Sequence, residues 1–264
     1  MARYWHIYRL LLRNSLIREL SFKANFLLWL VTELFWFLGQ LVFVEVLFLS
    51  TDRIADWSKW EVVLLIGTHQ IIGQVFQAVF YVNLANLPEL VRTGRLDLML
   101  LLPVDAQFSV STRQFGLDNL VNVGVGAGFV VFSLGKLGLA PSALQIACYL
   151  LAICLGSLVH YAIMFSLATL SFWIVRAQGL IYGYFNLIGI SRYPDSVFQG
   201  AYRVVFTWLI PVIVVSNVPA RLLIRGGANP GQLLLHLGAA CLLSLFLSRL
   251  FWNFALRRYS SASS

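Results

Sequence analysis

With 264 residues, 59% of them hydrophobic and 11% charged, and a mean hydropathy of +0.81, the chain is too apolar for a soluble domain of its size. A net charge of +8 would suit nucleic acid if the basic residues gathered on one wet surface. They are instead spread between long apolar runs, which points to a bilayer and to no nucleic-acid partner.

Taken in order, residues 1–22 set Arg3, Arg9 and Arg13 broadly on one side of a helix and Trp5, Leu12 and Leu16 on another. That pattern predicts an interfacial helix, and it carries no compact apolar core with a small-residue cleavage site. Residues 25–48 form the first run that reaches the roughly 20 residues needed to cross a hydrocarbon core of about 30 Å. Glu33 and Glu45 interrupt it. Residues 60–82 give a second span, with Gln70, Gln74 and Gln77 at i, i+4 and i+7 making one polar stripe.

The stretch 86–105, NLPELVRTGRLDLMLLLPVD, holds Glu89, Arg92, Arg95, Asp97 and Asp105 and must lie at a water-facing surface. Pro88 suits a helix start and Gly94 a change of backbone direction. Leu90, Val91 and Leu98 supply apolar contacts, so the stretch reads as an amphipathic loop helix able to meet a soluble partner, or as a polar connector. Residues 115–134 are a third span, with Gly124 and Gly128 in the spacing that permits close helix contact. Residues 143–175 make a long fourth span. The mixed stretch 176–200 is placed mostly at an interface, and 201–224 is a fifth span broken by Pro211 and Pro219. Residues 232–254 are the sixth.

The fold expected is therefore an all-α polytopic membrane protein, residues 1–264 forming one domain with six transmembrane helices. Alternating short segments of the barrel type are absent from the sequence. Six spans put both termini on one side. With that side cytoplasmic, fourteen of nineteen Lys and Arg fall inside, leaving Arg53, Lys59, Lys136, Arg221 and Arg225 outside.

Enzyme motifs are missing. Gly135 and Lys136 are adjacent, but no G-x-x-x-x-G-K-[ST] phosphate loop exists, nor HExxH or G-x-S-x-G. The three cysteines lie in apolar runs without close pairing, so neither a disulfide framework nor a metal site is expected, and no cofactor. The remaining polar chemistry sits inside spans. A carboxylate at a helix centre costs about 2.5–3.5 kcal/mol on insertion scales. Glu33, Gln70, Gln74 and Gln77 are thus candidates either for a substrate pathway or for interhelical hydrogen bonds.

WSKWE at 57–61, VRTGRLDLMLLLP at 91–103, SRYPDSVF at 191–198 and TWLIPVIVVSNVPARLL at 207–223 together resemble the ABC-2 type permeases, in their branch of six-span bacterial exporter subunits. The resemblance implies a permease in the bacterial cytoplasmic membrane with both termini cytoplasmic. It implies a dimer with a second permease, same or sister chain, and a separate ATP-binding cassette ATPase that holds the ATP. It also implies that residues 86–105 act as the coupling helix, through Leu90, Val91, Arg92, Arg95 and Asp97. An ion-coupled secondary carrier using Glu33 is the competing reading, although no inverted repeat is visible.

Overall fold

The structure is a computed structural model, and it describes residues 23–174, 178–224 and 229–259. The interfacial helix expected over 1–22 lies outside these residues. Helix α1 is Lys23–Leu47, and a two-strand hairpin, β1 Arg53–Ile54 with β2 Trp57–Ser58, leads into α2, Lys59–Arg92. Ser58 and Glu61 close a capping box at the start of α2, satisfying backbone N–H groups that the first turn leaves without partners. The short helices α3 (Leu96–Leu100) and α4 (Ala106–Ser111) follow, then α5 (Leu117–Leu137) and α6 (Ala143–Phe172). The chain continues through α7 (Gln178–Ile188), α8 (Gly200–Leu209), α9 (Val212–Ile224) and α10 (Pro230–Arg257). Among the described residues four helices are long and apolar enough to cross a membrane, α2, α5, α6 and α10, or five if the bent pair α8 and α9 counts as one span.

Helix α2 differs from the expected second span. It does not stop at Val82 but runs 34 residues to Arg92, with Pro88 inside it. At 1.5 Å per residue it is about 51 Å long, so several turns project past a hydrocarbon core. A wider π turn at Gln77–Tyr81 interrupts the regular winding. There the Ala78 carbonyl accepts the Gly116 N–H at 2.9 Å, and Asn83 bridges both backbone groups of Gln114. The helix ends at Gly94, whose φ of 69° turns the chain in a conformation other residues resist.

The close helix contact also falls elsewhere than its glycine spacing predicts. A Cβ on Gly124 or Gly128 would meet nothing within 4 Å, whereas one on Gly126 would come within 2.9 Å of Ile71 Cγ1 and 3.2 Å of the Gly67 carbonyl. Gly67 faces it, with the Gly126 carbonyl 3.2 Å from its own added Cβ. Gly67 and Gly126 therefore set the crossing of α2 and α5.

The largest departure concerns residues 176–224. Tyr184, Ile188 and Ser191 are buried, so one face of α7 and of the 3-10 turn Gly189–Arg192 packs on the bundle, while Tyr182 and Phe185 face outward. Trp173, at the end of α6, stacks on Phe251 near the end of α10. From that level the chain passes Phe76 and His160 at Tyr184, reaches His69 at Ser191, and arrives at Arg221 at Asp195. The apolar length of residues 201–224 predicts one crossing. Yet the Asp195 N–H donates to Asn217 Oδ1 at 2.9 Å, and Arg221 is ion-paired with Asp195. A single crossing would hold its two ends about 30 Å apart. Helices α8 and α9 meet at 84° across Ile210 and Pro211, and Val212 at the bend packs in the same apolar cluster as Phe165 and Trp252. The segment thus leaves along the largely exposed α8 and returns through the buried α9 to the level it left. Pro211 supplies the break, lacking an N–H and forcing Ile210 out of the helical region.

Candidate functional site

Three polar regions stand out from the apolar bundle. The first is the end of α2 with the loop behind it. Glu89 and Arg92 pair side by side on its exposed face, at 2.7 and 2.9 Å, and Arg95 is also exposed. Leu90 and Val91, read from the sequence as apolar contacts for a partner, point inward instead, at 3% and 9% exposure, in the cluster with Leu96, Met99 and Tyr184. Asp97 is half-buried. The apolar surface that remains outside comes from Leu98, Leu101 and Leu102, at 68, 80 and 47% exposure. The helical periodicity of α2 carries on to Arg92, and this continuation turns Leu90 and Val91 toward the core.

Asp105 anchors this loop. Its carboxylate caps α4 through the Phe108 N–H at 2.9 Å and receives both ends of the Arg249 guanidinium, at 3.1 and 2.6 Å. Arg249 also reaches Gln107 Oε1 at 3.0 Å, and Gln107 donates to the Tyr161 hydroxyl at 2.9 Å. Loop, α10 and α6 are joined in one chain of hydrogen bonds. Partial burial pushes the Asp105 carboxyl up, but the Arg249 hydrogen bond and charge, with the backbone N–H groups, outweigh it and hold the group below the usual carboxylate range. A depressed carboxylate contributes stability above its unfolded pKa of about 3.9 that is lost as pH falls through the folded value. The thermal midpoint of Asp105→Asn in detergent should lie below that of the parent at pH 7, and the gap should close below about pH 4. A gap independent of pH would show that the carboxylate charge is not what matters.

The second region lies between α1 and α2. Gln70 Nε2 donates to Glu33 Oε2 at 3.2 Å, so these two candidates meet. Gln74, on the same stripe, is buried at 2% exposure, and Gln77 is half-buried at the π turn. Among the described residues the hydrogen bond to Glu33 comes from Gln70 and from neither of these two. Nearby, α1, α2 and residues 192–197 line an open-sided cavity of about 580 Å³. Glu45 lies further along α1, where Lys59 Nζ binds it at 2.7 Å at an exposed position.

The third region was not found by reading the sequence. Arg221 on α9 pairs with Asp195 and lies 3.6 Å from Asp56 and 5.4 Å from the centre of the Trp57 ring. Ser196 donates to Asp56. The hairpin before α2 and the re-entrant segment are thereby fastened together. Asp56 and Arg221 are 165 positions apart, and their pairing has no local signature. His69, Ser191 and Ser216 form a smaller knot below, with His69 Nδ1 2.8 Å from Ser191 Oγ. His160 packs beside the Phe76 and Tyr184 rings, and neither ring nitrogen has a hydrogen-bond partner among the described residues.

No curated protein and no solved structure matches this chain. A family model described as ABC-2 family transporter protein matches residues 34–263. That range takes in α2 with its projecting end, the re-entrant pair and α10, and a match over so much of the sequence means that the chain belongs to the ABC-2 family of transporter proteins, as a membrane-embedded permease.

Proposed function

We propose that the chain is the permease subunit of an ATP-binding cassette exporter in a bacterial cytoplasmic membrane, paired with a second permease and driven by a separate ATP-binding cassette ATPase. The observation that carries this reading is the combination of the family with a span that projects beyond the bilayer into a charged, partly apolar loop. Six crossings are kept if α1, at 25 residues, is the first and α7 with its 3-10 turn replaces the bent pair as the fifth. Arg192 and Arg203 then move to the Arg221 side, and the basic residues divide 12 to 7 in favour of a cytoplasmic Asp105 side and cytoplasmic termini. The exposed apolar face of α1, including Phe35 and Val42, is left for lipid or for the second permease.

In this reading Arg92, Arg95 and Asp97 dock on the ATPase together with Leu98 and Leu101, and Leu90 and Val91 support them from within. Leu101→Asp should insert normally and lose at least about tenfold in ATPase co-purification, because a charge replaces an apolar interface contact. Leu90→Asp should instead fail at folding, since it buries an unpaired carboxylate. The measurement is monodisperse yield of each variant followed by capture of the tagged ATPase. Full capture by Leu101→Asp and Arg95→Glu alike would remove this loop from the coupling role.

A further inference from the structure

The cavity between α1, α2 and residues 192–197 has the size of a small-molecule pocket. Trp36 and Phe43 from α1, Ile66 from α2 and Val197 give it mostly apolar walls. Arg192 is the one charged residue on its lining. The guanidinium lies 5.2 Å over the Tyr193 ring, and its Nη2 is 3.4 Å from that residue's hydroxyl. Among the described residues no carboxylate is ion-paired with it. The neighbouring carboxylates, Asp195 and Asp56, are held by Arg221 instead.

A guanidinium stays charged in a protein, and where it is partly withdrawn from water beside apolar walls, as Arg192 is, an anion is the partner it favours. Glu33, an acidic group within α1, would instead suit a cation. In the structure Glu33 is not on the cavity wall, and the Gln70 amide already occupies one of its oxygens. We infer that this cavity takes an amphiphile with a single anionic head group, its head on Arg192 and its apolar body along Trp36, Phe43 and Ile66. This rests on the permease reading above and names the class of molecule carried. The hairpin residue Ile54 and Pro194 also line the cavity, so the Arg221 fastening holds two of its walls at a fixed separation.

The test uses the full-length protein in nanodiscs of zwitterionic lipid and three photoreactive probes with one sixteen-carbon diazirine chain, ending in a carboxylate, an alcohol or a trimethylammonium. The carboxylate probe should label peptides covering residues 36–47 and 192–197 about tenfold more than the other two, the usual scale of a charge-assisted hydrogen bond. Arg192→Gln should erase that excess, and Arg192→Lys should keep most of it. Gly39→Leu provides an independent check: Gly39 lines the cavity and a Cβ there meets nothing within 4 Å, so the new side chain fills space without a clash. It should lower labelling by all three probes. Equal labelling by the three heads, preference for the ammonium, or a carboxylate excess that survives Arg192→Gln would each overturn the inference. Labelling needs no ATPase, so the two readings fail separately. Selective labelling without any ATPase partner in native membranes sinks the permease reading alone, and ATPase association without selective labelling sinks the anion site alone.

Discussion

Gly126→Leu should prevent α2 and α5 from meeting and cost about 3 kcal/mol or more, at the upper end of overpacking effects. The reason is that the added atoms encounter backbone. A Cβ at Gly126 already lies 3.2 Å from the Gly67 carbonyl and 3.3 Å from the Ile71 nitrogen, so relief requires the helices to separate. Separation would uncover Ile71 and Val130, both buried in the main apolar cluster. Gly124→Ala and Gly128→Ala face open space and should be neutral, or gain up to about 1 kcal/mol from helix propensity. Thermal midpoints and monodisperse recovery of the three variants in detergent decide the matter. A Gly126→Leu protein as stable as its parent would mean that the crossing is looser than the backbone positions indicate.

Arg221→Met is expected to have the next largest effect. It leaves Asp195 and Asp56 facing one another without their shared cation, and it removes the charge stacked on Trp57. Breaking a fully buried pair costs about 3–5 kcal/mol. Here the side chains of Arg221 and Asp195 keep 19% and 24% of their exposure and that of Asp56 keeps 40%, so about 2–3 kcal/mol is the reasonable expectation after solvent screening. The double variant Asp195→Asn with Arg221→Met should recover a measurable part of the loss, as coupled partners do. Additive losses in that cycle, read from unfolding midpoints, would show that the two residues act independently.

How much of this was legible in the sequence differs by feature. The membrane class and most helix positions were, because a bilayer demands long apolar runs and those runs are local. Glu33 and Gln70 could be singled out as polar groups within spans, but their meeting depends on how α1 lies on α2, which composition does not encode. Residues 201–224 are as apolar as a true span. Contacts across the bend, from Asp195 to Asn217 and to Arg221, 22 and 26 positions apart, distinguish a re-entrant path from a crossing. Gly124, Gly126 and Gly128 show the same limit, since their spacing offers two faces and the neighbouring helix selects one. In the loop, Leu90 and Leu101 look alike as letters, yet the continuation of α2 through Pro88 turns one inward and leaves the other exposed.

The tight crossing at Gly67 also sets a mechanical ratio. From Lys59 to Gly67 the rise is about 12 Å, and from Gly67 to Arg92 about 38 Å. If α2 tilts as one rigid rod about that contact, it is a lever with its fulcrum close to one end. A displacement at Arg92 would reappear at Lys59 in the opposite direction and reduced about threefold, by the ratio of the two rises. A broad swing at the loop would thus become a small, forceful shift of the hairpin carrying Asp56 and Trp57, at the place where Arg221 holds it.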